Sequence, residues 1–580
     1  MKTARALLMM LRGYGVTDVF GLPGETTLDL YRAWDEFSDI AYHMCRDERN
    51  SVFMADGYAK ATGKVGICEG PSVGATHMVP GVTEAHGACI PMLVFTSDVE
   101  LHTTKKNMLT GFNQTAIFEG ITKESYTVTK GIELPFLIRR AFRAATSGRP
   151  GPVHIRIPMN IFSEELPDES IFVHPQYGKF PGVRSSASKE DIRKAVDELV
   201  RASRPVMICG QGAIHSGAWD AVSALARKMN IPVGSTINAK GIFQETHPLS
   251  LGVIGARGGR EWANQVILES DLVLLVGSST DSAGTSGWRL PSSNSETKMI
   301  QIDISELELG NNYNVLPLLG DAKETLERIL ETLPENGRNP ETPSWAAKVL
   351  AAGEAFEKKL AAFEKDIEDT IHPFSVSRLL ERTMPEDAFY AIDPGIAAVY
   401  PAAFMKLKRA GRRCAYNFSM GALGYAIPAA IGARQGLPSE VPVIGLVGDG
   451  SFGFTAGELE TASRLGLNIT YILFDNASFG WIRGTEFVER RSPLPDSYDK
   501  FTCFAKTDYV KIAEGFGLKG YHPRSIKSLE ETLKECMSLS GPKLVVLSVL
   551  PEDRQLPPVP GWYKYAKSAG LCNLYGSDCF

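Results

Sequence analysis

The residues best suited to chemistry in this 580-residue chain lie between Gly448 and Asn476. Gly448-Asp449-Gly450 follows the apolar run Val443-Ile444-Gly445-Leu446-Val447, and Asn476 ends a second run, Ile469 to Asp475. An aspartate leaving one buried strand and an asparagine leaving another can share a hard divalent cation. The glycines allow the backbone to close on a diphosphate, and Ser451 adds a hydroxyl donor. A solvated turn for Asp449 and a helix cap for Asn476 are the bland alternatives for these residue types. The elements that must position the pair are two strands and, between them, a helix over Ala456 to Ala462.

The same alternation extends along the chain. Short apolar runs rich in branched residues (Asp18–Phe20, Ile90–Phe95, Val153–Ile157, Pro205–Cys209, Ile231–Val233, Asp271–Val276, Met299–Ile304, Phe389–Ile392, Lys543–Val549) alternate with helical segments. This predicts an α/β fold of parallel sheets covered on both faces. Polar, proline-containing stretches at 163–188 and 334–343 read as linkers, and a charged helix is expected from Ser344 to about Thr370. The expected domains are 1–165, 186–335 and 371–550, with a tail at 551–580 rich in Pro, Tyr and Gly. No short-period repeat or low-complexity tract interrupts them.

With 44% hydrophobic and 22% charged residues the composition is that of a globular protein with sizeable cores. A net charge of -6 leaves no basic footprint for nucleic acid or an anionic membrane, so small molecules are the expected partners. The nine cysteines lack paired metal-ligand spacing, and their odd number suits reduced thiols in a cytoplasm, although Cys572 and Cys579 could pair. The first residues read as a helix, Ala4 to Leu11, rather than a signal peptide or membrane span.

The Gly448–Asn476 segment resembles the signature of thiamine diphosphate enzymes. The three-part order, with that segment only in the last part, resembles their acetolactate synthase and 2-oxo acid decarboxylase branch over nearly the whole chain. The resemblance implies three doubly wound parallel-sheet domains: pyrimidine-binding, middle and diphosphate-binding. It implies Mg2+ on Asp449, Asn476 and the carbonyl of Ser478, and a cofactor site that includes Gly448, Gly450, Ser451, Phe479 and Gly480. It also implies a homodimer or a dimer of dimers, with thiamine diphosphate held at the subunit interface.

The run Asp47-Glu48 followed by Ala55-Asp56-Gly57-Tyr58-Ala59 resembles the family pattern in which a glutamate shares a proton with the pyrimidine ring, which makes Glu48 the catalytic candidate. On a strand end Asp47 and Glu48 would face opposite ways. Both serving as the cap and first-turn acids of a helix is the alternative. Gly421-Ala422-Leu423-Gly424 resembles the turn whose large apolar residue bends the cofactor, which implies Leu423 as the wedge with Gly421 beside it; a core leucine is the alternative.

Other segments depart from the family. Gly70 to His77 resembles Gly-Pro-Gly-Ala-Thr-Asn with two residues inserted and a histidine in place of asparagine, so His77 becomes a candidate acid or base, or a satisfied structural residue. Pro23-Gly24-Glu25 stands where decarboxylases carry Pro-Gly-Asp, so Glu25 is a candidate second acid or simply a turn carboxylate. Lys105-Lys106-Asn107 replaces the histidine pair of simple decarboxylases. Leu109 to Phe112 replaces the Phe-Gln-Glu of carboligases, with Gln114 the nearby candidate. Trp481 and Arg483 are the large groups near the substrate-discriminating position, and an arginine there could grip a 2-oxo acid carboxylate. In the middle domain Gly210-Gln211-Gly212 resembles a remnant nucleotide turn. Gly277-Ser278-Ser279 and Ile254 to Gly259 depart from the FAD-binding pattern, which argues mildly against FAD, while Arg257 leaves a phosphate-gripping or ADP-type site open.

The expected activity is decarboxylation of a pyruvate-like 2-oxo acid with carbon-carbon ligation, acetolactate synthase-like. The alternatives are a non-ligating decarboxylase or lyase that releases an aldehyde, and a non-catalytic cofactor-binding paralogue.

Overall fold

The computed structural model describes all residues except 293–295, 336, 338, 364–369, 493 and 564–580. Cys572, Cys579 and the end of the expected Ser344–Thr370 helix therefore lie outside the described residues, where the helix spans Thr342–Leu360. Two compact units arise. The first comprises Met1–Val183, Asn417–Val443 and Thr455–Ile469; the second comprises Arg184–Tyr416, Ile444–Phe454 and Thr470 onward.

Three six-stranded parallel sheets organise the chain. The first holds β1 (Asp18–Gly21), β2 (Ala41–Met44), β3 (Gly66–Gly70), β4 (Met92–Asp98), β5 (Glu124–Thr127) and β6 (Pro152–Pro158), in the order β2-β1-β3-β4-β6-β5. The second holds β7 (Pro205–Cys209), β8 (Val233–Ser235), β9 (Ser250–Val253), β10 (Leu272–Val276), β11 (Lys298–Asp303) and β12 (Leu316–Leu319), in the order β12-β11-β10-β7-β8-β9. The third holds β13 (Phe389–Ile392), β14 (Cys414–Tyr416), β15 (Val443–Gly448), β16 (Ile469–Asp475), β17 (Lys519–Tyr521) and β18 (Lys543–Ser548), in the order β14-β13-β15-β16-β18-β17. Central strands such as β4 and β7 are buried along their whole length, as their continuous apolar runs require. The strand order reverses at β7 in the second sheet, and in the first and third sheets at β1 and β13 and again at the far edge, and the carboxyl ends at such a reversal open the crevice where α/β folds bind ligands.

Helix Glu48–Thr62 anchors the first unit. Asp47 caps it by accepting from Arg49 N–H at 2.9 Å, and Gly63 ends it in the left-handed region at φ 75°. It crosses helix Ala426–Gly436 at close range because glycine faces backbone twice: a Cβ on Gly57 would stand 2.7 Å from Ala429 Cα, and one on Gly432 2.8 Å from Met54 Cα. Between these helices Lys60 Nζ lies 2.8 Å from Asp56, whose carboxylate also accepts from the Tyr425 hydroxyl. Removing one member of so buried a pair costs roughly 3–5 kcal/mol. The stretch 163–188 is not a free linker over most of its length. Its 3-10 turn Pro175–Gly178 is held to the first unit, where Gly178 C=O accepts from Val65 N–H at 3.0 Å. Among the described residues no helix is long and apolar enough to cross a membrane.

Candidate functional site

β15 and β16 are neighbours in the third sheet, so Asp449 and Asn476 leave adjacent carboxyl ends. Asp449 opens helix Asp449–Thr455, and its Oδ2 accepts from the backbone N–H of Asn476 at 3.1 Å and of Ser478 at 3.3 Å. Those two bonds curl the 476–478 loop around the carboxylate. The Asn476 amide donates through Nδ2 to Glu552, which directs its Oδ1 back toward the loop. Burial, with the neighbouring Asp475 charge adding to it, pushes Asp449 up to about 7; burial alone is the leading cause that pushes Glu552 up to about 7. Asp449 is tied to the backbone N–H of Asn476 and Glu552 to its side-chain amide, so the Asp449 carboxylate and the Asn476 Oδ1 are oxygens of the kind a hard divalent cation takes, and a cation's charge would reverse both shifts. A side chain on Gly448 or Gly453 would meet nothing within 4 Å, which leaves room for a bulky ligand against the backbone. Gly450 is different: a Cβ there would stand 2.7 Å from Phe479 Cε1, so its missing side chain serves the Phe479 ring rather than a ligand.

In the first unit Glu48 is 6% exposed and sits in the first turn of its helix, not on a strand end as the sequence suggested. Asp47 and Glu48 are thus cap and first-turn acid, while Glu48 also occupies a built niche. A Cβ on Gly74 would stand 2.7 Å from Glu48 Cδ, and Gly70 lies beneath its Cγ. His77 Nδ1 lies 3.1 Å from Glu48 Oε2, while the imidazole is 57% exposed. The ligand atoms of Asp47, Glu48 and His77 fall within 4.8 Å of one another. Glu25 is exposed in the 3-10 turn Glu25–Thr27 after β1. Leu423 is half-buried in a turn bracketed by Gly421 at φ 75° and Gly424 at φ 87°, immediately before helix Ala426–Gly436.

Models of three domain families match the chain: the N-terminal TPP binding domain of thiamine pyrophosphate enzymes over residues 1–117, their central domain over 192–329 and their C-terminal TPP binding domain over 393–547. A probable acetolactate synthase large subunit from Methanocaldococcus jannaschii is 31% identical over 97% of this chain and 94% of that protein. The chain belongs to the thiamine pyrophosphate enzymes. An acetolactate synthase large subunit from Lactococcus lactis is 30% identical over 98% of this chain and 96% of that protein. A probable 2-ketoarginine decarboxylase from Pseudomonas aeruginosa is 33% identical over 94% of this chain and 93% of that protein.

Several side chains singled out for this thiamine pyrophosphate enzyme have other partners in the structure. Gln114 is fully buried: it accepts from Thr96 Oγ1 at 2.6 Å and donates to Ser97 C=O at 2.9 Å. Thr96 also meets His154 Nε2 at 2.7 Å, and Ser125 meets His154 Nδ1 at 2.8 Å. Burial, with Arg156 adding to it, holds His154 down to about 3, so the ring is neutral and the amide belongs to a buried relay within the sheet. Arg483 reaches Asp499 at 2.7 Å and Thr502 at 3.2 Å. Its charge is therefore committed within helix Gly480–Arg490 and the segment facing it. Trp481 stacks on Trp562 at 4.7 Å, with the Arg257 guanidinium over its other face at 4.6 Å. Arg257 is thereby occupied by an indole. Gly210 and Gly212 are pressed against the next loop, where a Cβ would stand 2.8 Å from Ser278 Cβ and 2.9 Å from Gly277 Cα, respectively. The glycines of that turn serve backbone packing between two loops of the middle domain.

Two acidic groups escaped the sequence reading. Glu552 follows the last strand and braces Asn476. Glu458 is fully buried and accepts from Arg46 N–H and Asn50 Nδ2, both at 2.8 Å, which holds the entry to helix Glu48–Thr62. Neither carries a local signal, since Glu552 stands in Pro551-Glu552-Asp553-Arg554 and Glu458 in Gly457-Glu458-Leu459-Glu460; burial alone makes them informative.

Proposed function

We propose that the chain is a cytoplasmic homodimer or dimer of dimers that uses thiamine diphosphate and Mg2+ to decarboxylate a pyruvate-like 2-oxo acid and join the remainder to a second carbonyl compound, as an acetolactate synthase does. The observation that carries this reading is the pair of sites: Glu48 buried in its niche, and the 476–478 loop closed about the Asp449 carboxylate. A non-catalytic paralogue would have no use for both.

Thiamine diphosphate bound there would supply an acidic carbon as nucleophile for the 2-oxo acid carbonyl and an electron sink for the loss of carbon dioxide. Asp449, Asn476 Oδ1 and the Ser478 carbonyl would hold Mg2+, and Gly448, Ser451 and the start of helix Asp449–Thr455 would face the diphosphate. Glu48, from the neighbouring protomer, shares a proton with a pyrimidine nitrogen. His77 would exchange that proton with solvent through its Glu48 contact, and Leu423 would be the large apolar group against the bound cofactor. Glu25 stands ready as a second acid. Packing at Gly210 and Gly212 and the engagement of Arg257 support a middle domain without FAD.

A second reading, release of an aldehyde without ligation, is favoured by the similarity to the probable 2-ketoarginine decarboxylase and by Leu109 to Phe112 in place of Phe-Gln-Glu. Product analysis with pyruvate alone and with pyruvate plus an acceptor carbonyl compound separates the two. Ligation predicts a 2-hydroxy ketone or acetohydroxy acid; acetaldehyde as sole product rejects it.

A further inference from the structure

Helix Ala75–Gly87 carries His77 near its start and, two turns on, Glu84, which is fully buried. The Glu84 carboxylate accepts three consecutive backbone N–H groups from a segment more than 300 residues away in sequence. Ser419 N–H lies 3.1 Å from Oε1, and Met420 N–H and Gly421 N–H lie 2.7 and 3.0 Å from Oε2. The Met420 side chain is 62% exposed although its amide is held inside. On the far side of the turn the Asn417 amide donates to Ala422 C=O. One turn beyond Glu84, a Cβ on Gly87 would stand 3.1 Å from Ser419 Cβ, so the helix end and the turn are in close register. Charge-assisted bonds of this kind are about twice as strong as neutral ones, and with the nearby Lys60 charge they oppose the burial that pushes the Glu84 carboxyl up.

We propose that Glu84 is a positioning residue for the reaction, holding the Ser419–Gly421 backbone so that the Gly421–Gly424 turn presents Leu423 to the cofactor. The proposal rests on the reading of Leu423 given above. Glu84→Gln keeps the side-chain volume and one acceptor oxygen but sets an amide N–H against backbone N–H donors.

The test has two readouts on the full chain. The first is amide hydrogen exchange over 417–424 in the cofactor-free protein, expected to accelerate about 10- to 100-fold in E84Q, the size of one lost charged hydrogen bond. The second is deuterium exchange at C2 of bound thiamine diphosphate, with Mg2+ and no 2-oxo acid, expected to slow about tenfold or more in E84Q and in L423A, with the double variant no slower than the slower single one. Unchanged amide exchange in E84Q overturns the proposal. So does loosened amide exchange with unchanged C2 exchange, when L423A does slow the latter. Unchanged C2 exchange in L423A overturns it through its premise, and is told apart because the amides still loosen in E84Q. If E84Q does not fold, the wild-type chain decides: protection of the Met420 and Gly421 amides supports the clasp, and exchange at the unstructured rate overturns it.

Discussion

Gly74 is where a single methyl group separates folding from chemistry. Its backbone lies at φ -62° and ψ -23°, which alanine adopts freely, and it caps helix Ala75–Gly87 without a side-chain bond. Gly74→Ala should therefore change stability by no more than about 1 kcal/mol. The new Cβ would overlap Glu48 Oε1 and stand 2.7 Å from its Cδ and Cγ, whereas ordinary van der Waals contact begins at 3.4 Å, so the side chain must retreat by at least about 0.7 Å. The side chain is flexible enough to do so, and the fold survives. A displacement of about 1 Å at a reacting group costs on the order of 100-fold in rate, so G74A should turn over ~10- to 100-fold more slowly, about 1.4–2.7 kcal/mol on the barrier. Steady-state kinetics with pyruvate, beside thermal melts and thiamine diphosphate titration, would show kcat falling while the melting point and cofactor affinity hold. Wild-type turnover in a folded G74A would mean that the niche of Glu48 is not its working position, and the assignment of this residue would fall.

Other changes carry separate expectations. Glu48→Gln should abolish turnover and spare cofactor binding; retained turnover contradicts the proposed proton transfer. Glu552→Ala frees the Asn476 amide to rotate and should weaken Mg2+ binding ~10- to 100-fold, read by titration of the cofactor-free protein, with Glu552→Gln intermediate; equal affinities would deny the brace. Glu69, fully enclosed at the end of β3 and bonded by Tyr31 and Tyr42, is pushed by burial from 4.5 up to about 7. The folded state thus holds this proton more tightly than the unfolded one, so its contribution is complete below about pH 4.5 and is lost as pH rises to about 7. The loss amounts to about 3 kcal/mol, and Glu69→Gln should melt above wild type at pH 8 but not at pH 4.5. A gap between the two proteins independent of pH would contradict it.

The centre of the third sheet was legible because β16 is a central strand with a continuous apolar run, and its expected bounds, Ile469 to Asp475, match the structure. β15 differs only by including Gly448. Every edge strand, β2, β5, β9, β12, β14 and β17, escaped notice. Edge strands pair on one side only and need no apolar run; β5 is nowhere fully buried and β12 alternates. Central β3 was missed as well, since Gly66, Glu69 and Gly70 interrupt its pattern. At the site, Glu48 and Asp449 could be read because each lies within a local motif. Glu84 and Glu552 could not, since their partners lie more than 300 and 76 residues away and only the fold brings them together. For Arg483 the converse holds: an arginine shortly after Asn476 suggests a substrate carboxylate, and only the fold shows it paired with Asp499.

Subunit complementation tests the shared site most directly. Glu48→Gln and Asp449→Ala each inactivate a homodimer, but in a mixed dimer one of the two sites takes an intact Glu48 from one protomer and an intact Asp449 from the other. Statistical mixing of equal amounts should then restore about a quarter of wild-type activity, because half the dimers are mixed and half their sites are whole. No recovery in verified mixed dimers would place both residues in one chain's own site and contradict a cofactor held between protomers.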